Sequence, residues 1–251
     1  MTPVLISLIA FLCVFGATLF GMYLRRVLPE HHLNAESRST VNLAIGLIGT
    51  VSGIALGLLV AFAAGKYDTQ KNELTEMSAK FALLDRALAH YGPEAKESRD
   101  QLRKTVVRTL DRIWPESRSE HSQLDPTGTG GEDLYDTIQQ LSPQNDEQRA
   151  IKAQALSLLV GIGQTRWMMY EQGGVPFPKP FLVVVVFWLT IVFISFGLHA
   201  PCNSTVVVVL LVSALSVAGA IFLILELYDP FEGWLQISSA PLRNALAQFG
   251  K

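Results

Sequence analysis

The chain has 251 residues, 49% of them apolar and 17% charged, with a formal net charge of −2. That balance leaves no electrostatic footprint for nucleic acid, which is therefore not an expected partner. Two cysteines, Cys13 and Cys202, are too few and too scattered for a disulfide framework or a metal site.

The first feature along the chain is an apolar stretch over 4–24, the first of four; the others are 42–65, 181–200 and 205–228. Each is long enough to span a bilayer, which takes about 20 apolar residues at ~1.5 Å rise. None carries Lys or Arg in its interior. The first stretch lacks a basic n-region and runs into Arg25-Arg26, so a retained helix is expected rather than a signal peptide. A hairpin with Pro29, Glu30, His31 and His32 follows. Three neighbouring residues do not make a metal site, so no metal is expected.

The second stretch carries Gly46, Gly49, Gly53 and Gly57 on one face. Two readings stay open: close helix packing in lipid, or space along a pore axis. From Lys66 the chain turns polar, and Leu74, Met77, Phe81, Leu84, Leu88 and Tyr91 form a heptad seam. With no Gly or Pro between 66 and 91, the second span is expected to continue as one rod, its heptad helix covering 67–91, and to end at Gly92-Pro93. A second helix with Ala95, Leu102, Val106, Leu110 and Ile113 on one face completes a helical hairpin by about Trp114.

Residues 115–131 are rich in Ser, Thr and Gly and read as a mobile loop. A short helix follows, with Leu134, Ile138 and Leu141 on one face. Ser142-Pro143 is the expected cap of a helix over about Asn145 to Gln172, lined by Ile151, Ala155, Leu158, Ile162 and Thr165. Gly173-Gly174 and Pro176, Pro178 and Pro180 break the chain before the third span. The valine runs 183–186 and 206–209 lie inside long apolar segments and are expected to be helical, because a lone strand in lipid leaves its backbone unsatisfied. After the fourth span, a short helix follows Ser238-Ser239, with Leu242, Leu246 and Phe249 on a face that suits the membrane surface or the helical domain.

These elements define an all-α integral membrane protein. Residues 1–65 hold transmembrane helices 1 and 2, and 66–179 a helical extramembrane domain inserted between spans 2 and 3. Residues 180–228 hold transmembrane helices 3 and 4, and 229–251 an amphipathic tail. An even number of spans puts both termini and the polar middle on one side, and basic residues near the span ends favour the cytoplasmic side. Lys66, Asp68, Lys179, Glu226 and Asp229 then fall at similar depth. They read either as a polar belt at the membrane boundary or as a ring of charge at a channel mouth. No enzyme motif is present, and neither a catalytic residue nor a cofactor is expected.

Several runs resemble the bacterial four-span membrane proteins called bestrophin-like. They are the tail Leu225-Glu226-Leu227-Tyr228-Asp229-Pro230-Phe231-Glu232-Gly233, continuing Ile237-Ser238-Ser239-Ala240-Pro241-Leu242-Arg243, the stretch from Tyr67 to Leu74, and Leu84-Asp85-Arg86 with His90-Tyr91-Gly92-Pro93. Gln164-Thr165-Arg166-Trp167 completes the set. The resemblance covers essentially the whole chain, and the family is largely a domain of unknown function with a distant likeness to bestrophins. It implies a homo-oligomeric ion channel in the bacterial inner membrane, in contact with lipid and inorganic ions, with four membrane helices per subunit and a cytoplasmic helical domain. Bestrophins narrow their pore with aromatic and aliphatic residues on the second span; here that span offers a glycine stripe and the single aromatic Phe62. Pore-lining residues therefore do not carry over. The alternative function is a non-conducting scaffold or sensor that binds a partner through its helical domain.

Overall fold

The computed structural model describes residues 2–27, 35–115, 122, 125, 130–175, 177–201 and 203–250, with backbone only for 35–38 and 40. His31, His32, Cys202, Lys251 and most of the 115–131 segment lie outside the described residues. All regular structure among the described residues is helical. The helices are α1 (Pro3–Val27), α2 (Ala35–Tyr91), α3 (Lys96–Ile113), α4 (Gly131–Gln139), α5 (Asp146–Gly174), α6 (Lys179–His199), α7 (Ser204–Tyr228) and α8 (Ala240–Gln248). A 3-10 turn, Pro93–Ala95, precedes α3.

Four of these, α1, the first part of α2, α6 and α7, are long and apolar enough to cross a membrane. The valine runs of the third and fourth stretches are helical, as lipid demands. Local chemistry sets the helix ends. Arg25 and Arg26 in the last turn of α1 complement its dipole, and Pro180 sits in the first turn of α6, where a missing N–H costs nothing. α2 runs unbroken to Tyr91 and stops at Gly92, whose φ of 123° is closed to other L-residues. α5 corrects the expected cap. Asn145, not Ser142-Pro143, caps it, its side chain accepting from the Gln148 backbone N–H at 2.7 Å. Leu158 of α5 packs against the core partly buried, and its neighbour Leu159 is the more buried of the two.

The chain divides into two compact units, Met1–Lys66 with Phe177–Tyr228, and Tyr67–Pro176 with Asp229–Lys251. In the first unit, Val14, Leu59, Ala63, Val185, Phe193 and Ala214 form the core. Leu12, Leu47, Val183 and Val212 point outward from it, as side chains facing hydrocarbon do. Its tightest contact joins α1 to α6. A methyl group built on Gly21 would run into the Ile194 carbonyl oxygen, and one on Gly197 into the Thr18 carbonyl oxygen. These two glycines let the backbones touch. Arg25 donates to the Ala200 carbonyl at the end of the same pair.

In the second unit, every residue of the heptad seam is buried, with Tyr91 the most open at 2% exposure. The seam packs with Leu102, Val106, Leu134, Ile138, Leu159 and Leu242 in one core. The presence of Leu242 settles the two readings of the tail: the apolar face of α8 lies on the helical unit. Trp114 Nε1–H donates to the Ile237 carbonyl at 2.9 Å and its ring meets Phe231 edge-on at 6.0 Å. Asp85 binds Arg99 through both oxygens at 2.9 Å.

Candidate functional site: the glycine face of α2 and the charged span ends

At 100° per residue, Gly46, Gly49, Gly53 and Gly57 fall within one narrow sector of α2. Ser52, Ala55, Leu59 and Ala63, the residues that α2 buries in the first unit, occupy a different sector. The glycine face is therefore not the one α2 turns toward its own chain. A methyl group on Gly46, Gly53 or Gly57 would meet nothing within 4 Å, and one on Gly49 only Val192 Cγ2 at 4.0 Å. Of the four candidate spans, that of α2 is the least covered, with 17% of its apolar window buried. The α2 hydroxyls are satisfied within the helix: Thr50 donates to the Gly46 carbonyl at 2.9 Å and Ser52 to Ile48 at 2.7 Å. The face is thus smooth, apolar and open to another molecule.

The charged span ends separate into two groups. Lys66, Lys179 and Glu226 belong to the first unit, Asp68 and Asp229 to the second, where both are exposed. Within the first unit the end of the α2 span and Phe177, two residues before α6, converge on the ring of Tyr228 at the end of α7. Lys66 Nζ sits 3.7 Å above the centre of Tyr228. Phe62 stacks on Tyr228 with centroids 6.5 Å apart, and Phe177 meets it edge-on at 5.1 Å. The ring quadrupole attracts a lysine over a phenol face, worth about 0.5–1 kcal/mol at a partly open site. Glu226 is buried to 3% exposure and is engaged by neighbours rather than free. Lys179 is exposed at the first position of α6.

Phe177 was not singled out by sequence reasoning, which attended to charges, and Tyr228 entered only as part of the tail run before Asp229. Gly21 and Gly197 were missed as well, although Ala10, Val14, Ala17 and Gly21 lie three or four residues apart, as the α2 glycines do. Among the described residues no group of three or more His, Cys, Asp or Glu side chains is arranged to hold a metal ion.

Four apolar helices, one with an uncovered glycine face, and a separately packed helical unit define a multi-span membrane protein. The bestrophin-like domain matches residues 12–242, and the chain belongs to that family. The fold agrees with crystal structures of a bacterial bestrophin homologue from Klebsiella pneumoniae. One variant matches with a TM-score of 0.70 at 14% identity, covering 100% of this chain and 99% of that one. A second variant matches at 0.67 and 12%, covering 97% and 98%. The structure phased on zinc matches at 0.67 and 12%, covering 96% of each chain. No curated protein matches by sequence.

Proposed function

We propose that this chain is one subunit of a homo-oligomeric ion channel in the bacterial inner membrane, with its helical domain and both termini in the cytoplasm. The observation that carries the reading is the glycine face of α2, which its own chain leaves uncovered. A smooth apolar face has two uses in a membrane protein: close contact with a neighbouring helix, or clearance beside a permeation path. Subunits arranged around an axis put it to either. The family supports the plan, since bestrophins are rings of four-span subunits. Permeation needs no cofactor and no covalent step, and the chain acts as a channel rather than an enzyme.

Lys66, Lys179 and Glu226, which share the first unit, are the charges we assign to the channel mouth. Anion conduction follows the family likeness; the glycine face makes selectivity a property of this mouth rather than of aromatic constrictions on α2. Single-channel recording in planar bilayers under asymmetric KCl tests the proposal. Discrete current steps establish a channel, and the sign of the reversal potential assigns anions or cations. Folded, oligomeric protein that passes no current refutes it. A second reading, a scaffold or sensor, draws on the exposed Val160, Trp167, Met168 and Tyr170 of α5. It predicts co-purification of a defined partner together with zero conductance.

A further inference from the structure

The segment after α7 buries its stem and exposes its tip. Phe231 is 5% and Ile237 3% exposed, and both belong to the core of the second unit. Trp114 of α3 holds both, donating to the Ile237 carbonyl and meeting the Phe231 ring edge-on. The Ile237 backbone N–H donates to the Pro230 carbonyl at 2.7 Å and closes a loop over 230–237. A turn opens that loop, with the Glu232 N–H on the Asp229 carbonyl at 3.1 Å and Gly233 at a φ of 81°. At the tip Trp234 is 84% exposed, the most open large apolar side chain among the described residues, and Leu235 beside it is 39% exposed.

Three observations bear on what meets this tip. The first is chain length. Pro230 follows Tyr228, the last residue of α7, by two positions, so the stem starts within about 7 Å of the end of the fourth span. Trp234 lies four residues further, within ~14 Å of Pro230, and the polar layer of a bilayer leaflet is about 5–8 Å deep. The second is residue type. An indole joins a large apolar body to one N–H donor, and it concentrates at headgroup level because both are satisfied there. The third is charge. No residue from Gly233 to Leu242 carries one, so no ion has to be desolvated when the tip enters the headgroup layer. A protein partner would need a matching pocket, whereas the bilayer surface stands beside the fourth span in every copy.

We propose that Trp234 and Leu235 form an interfacial anchor, the tip of the 230–237 loop seating in the lipid headgroup layer on the side where α7 ends. Because Trp114 grips the stem, the anchor ties the core of the helical unit to the lipid surface. The proposal rests on the membrane spans alone and is independent of the channel reading.

Tryptophan fluorescence of the full chain in phosphatidylcholine vesicles tests it. The probes are two nitroxide lipids, one labelled on the headgroup and one deep in the acyl chain, and acrylamide in the water. The Trp234 signal is the difference between the native chain and Trp234→Phe, since Trp114, Trp167 and Trp188 are common to both. Trp234 is outside the core clusters, so the variant should keep its helical content. Trp234→Tyr, excited beyond the tyrosine band, supplies the same difference should phenylalanine disturb the loop. The headgroup label is expected to quench the difference signal at least about threefold more than the deep label, as for an indole at the interface. Strong acrylamide quenching with no response to either lipid label would put the tip in water. No response to any of the three probes would put it against a neighbouring copy or another protein. Either result overturns the anchor, as does quenching by the deep label that equals or exceeds quenching by the headgroup label.

Discussion

The contact between α1 and α6 yields the sharpest prediction. Gly21→Ala places a methyl group on the Ile194 carbonyl oxygen and 3.0 Å from both Ile194 C and Leu198 N. All three are backbone atoms of a helix, so no side chain can swing away and the helices must separate by about 1 Å. A gap of that size forfeits a quarter to a half of each dispersion contact along the interface. Overpacking of this kind costs about 1–3 kcal/mol, and a backbone obstacle places the substitution at the upper end. Alanine regains about 1 kcal/mol of helix propensity over glycine, leaving a net loss of about 2 kcal/mol. Gly16→Ala on the same helix is the matched control, because a methyl there meets nothing within 4 Å; it should be neutral or stabilising. Gly197→Ala should cost the same as Gly21→Ala. The double variant should lose clearly less than the sum, since one separation relieves both clashes. Unfolding in mixed micelles, followed by circular dichroism at fixed protein concentration, reads all four. Gly21→Ala and Gly197→Ala within 0.5 kcal/mol of the native chain, or strictly additive losses in the double variant, would refute the close-contact reasoning.

Three further outcomes are expected. A methyl at Gly53 meets nothing within 4 Å, so with Gly53→Leu subunit stability should hold while oligomer mass by light scattering, or conductance, changes; no change in either would mean the face touches only lipid. Arg99→Ala removes the fork held by the buried Asp85 carboxylate. It should cost about 2–3 kcal/mol in thermal or denaturant unfolding, below the full buried-pair value because Arg99 is partly exposed. Glu226→Gln should shift the reversal potential if the acid lines a mouth, and should alter only the unfolding midpoint if its role is structural.

The periodic features of this fold were legible in the sequence because each depends on one helix alone. Length and apolarity marked the four spans, and the 3-4 spacing from Leu74 to Tyr91 marked a seam that is buried throughout. The features that escaped notice depend on what stands opposite. Four glycines on α2 and Gly21 on α1 look alike as a pattern, yet of these five only Gly21 has the backbone of another helix against it. Leu158 and Leu159 differ by a 100° turn, too fine for a periodicity to decide. Asn145 outcompeted Ser142-Pro143 because its amide oxygen reaches the Gln148 N–H, and several polar residues in a row each offer a plausible cap. Of the candidate site, the charges at the span ends were visible in the sequence. The aromatic ring on which Lys66 rests was not, since a cation over a ring leaves no periodic trace.

The pairing of Gly21 with α6 also sets a schedule for biogenesis. Gly21 and Gly197 lie 176 residues apart in the chain. At about 5–20 residues per second of synthesis, α1 waits roughly 9–35 s for its partner to be made. During that interval its small-residue groove faces lipid, or the grooves of other nascent copies, with nothing to distinguish a right neighbour from a wrong one. The insertion machinery, or the speed with which α2 folds beside α1, must guard that surface until the ribosome has passed residue 197.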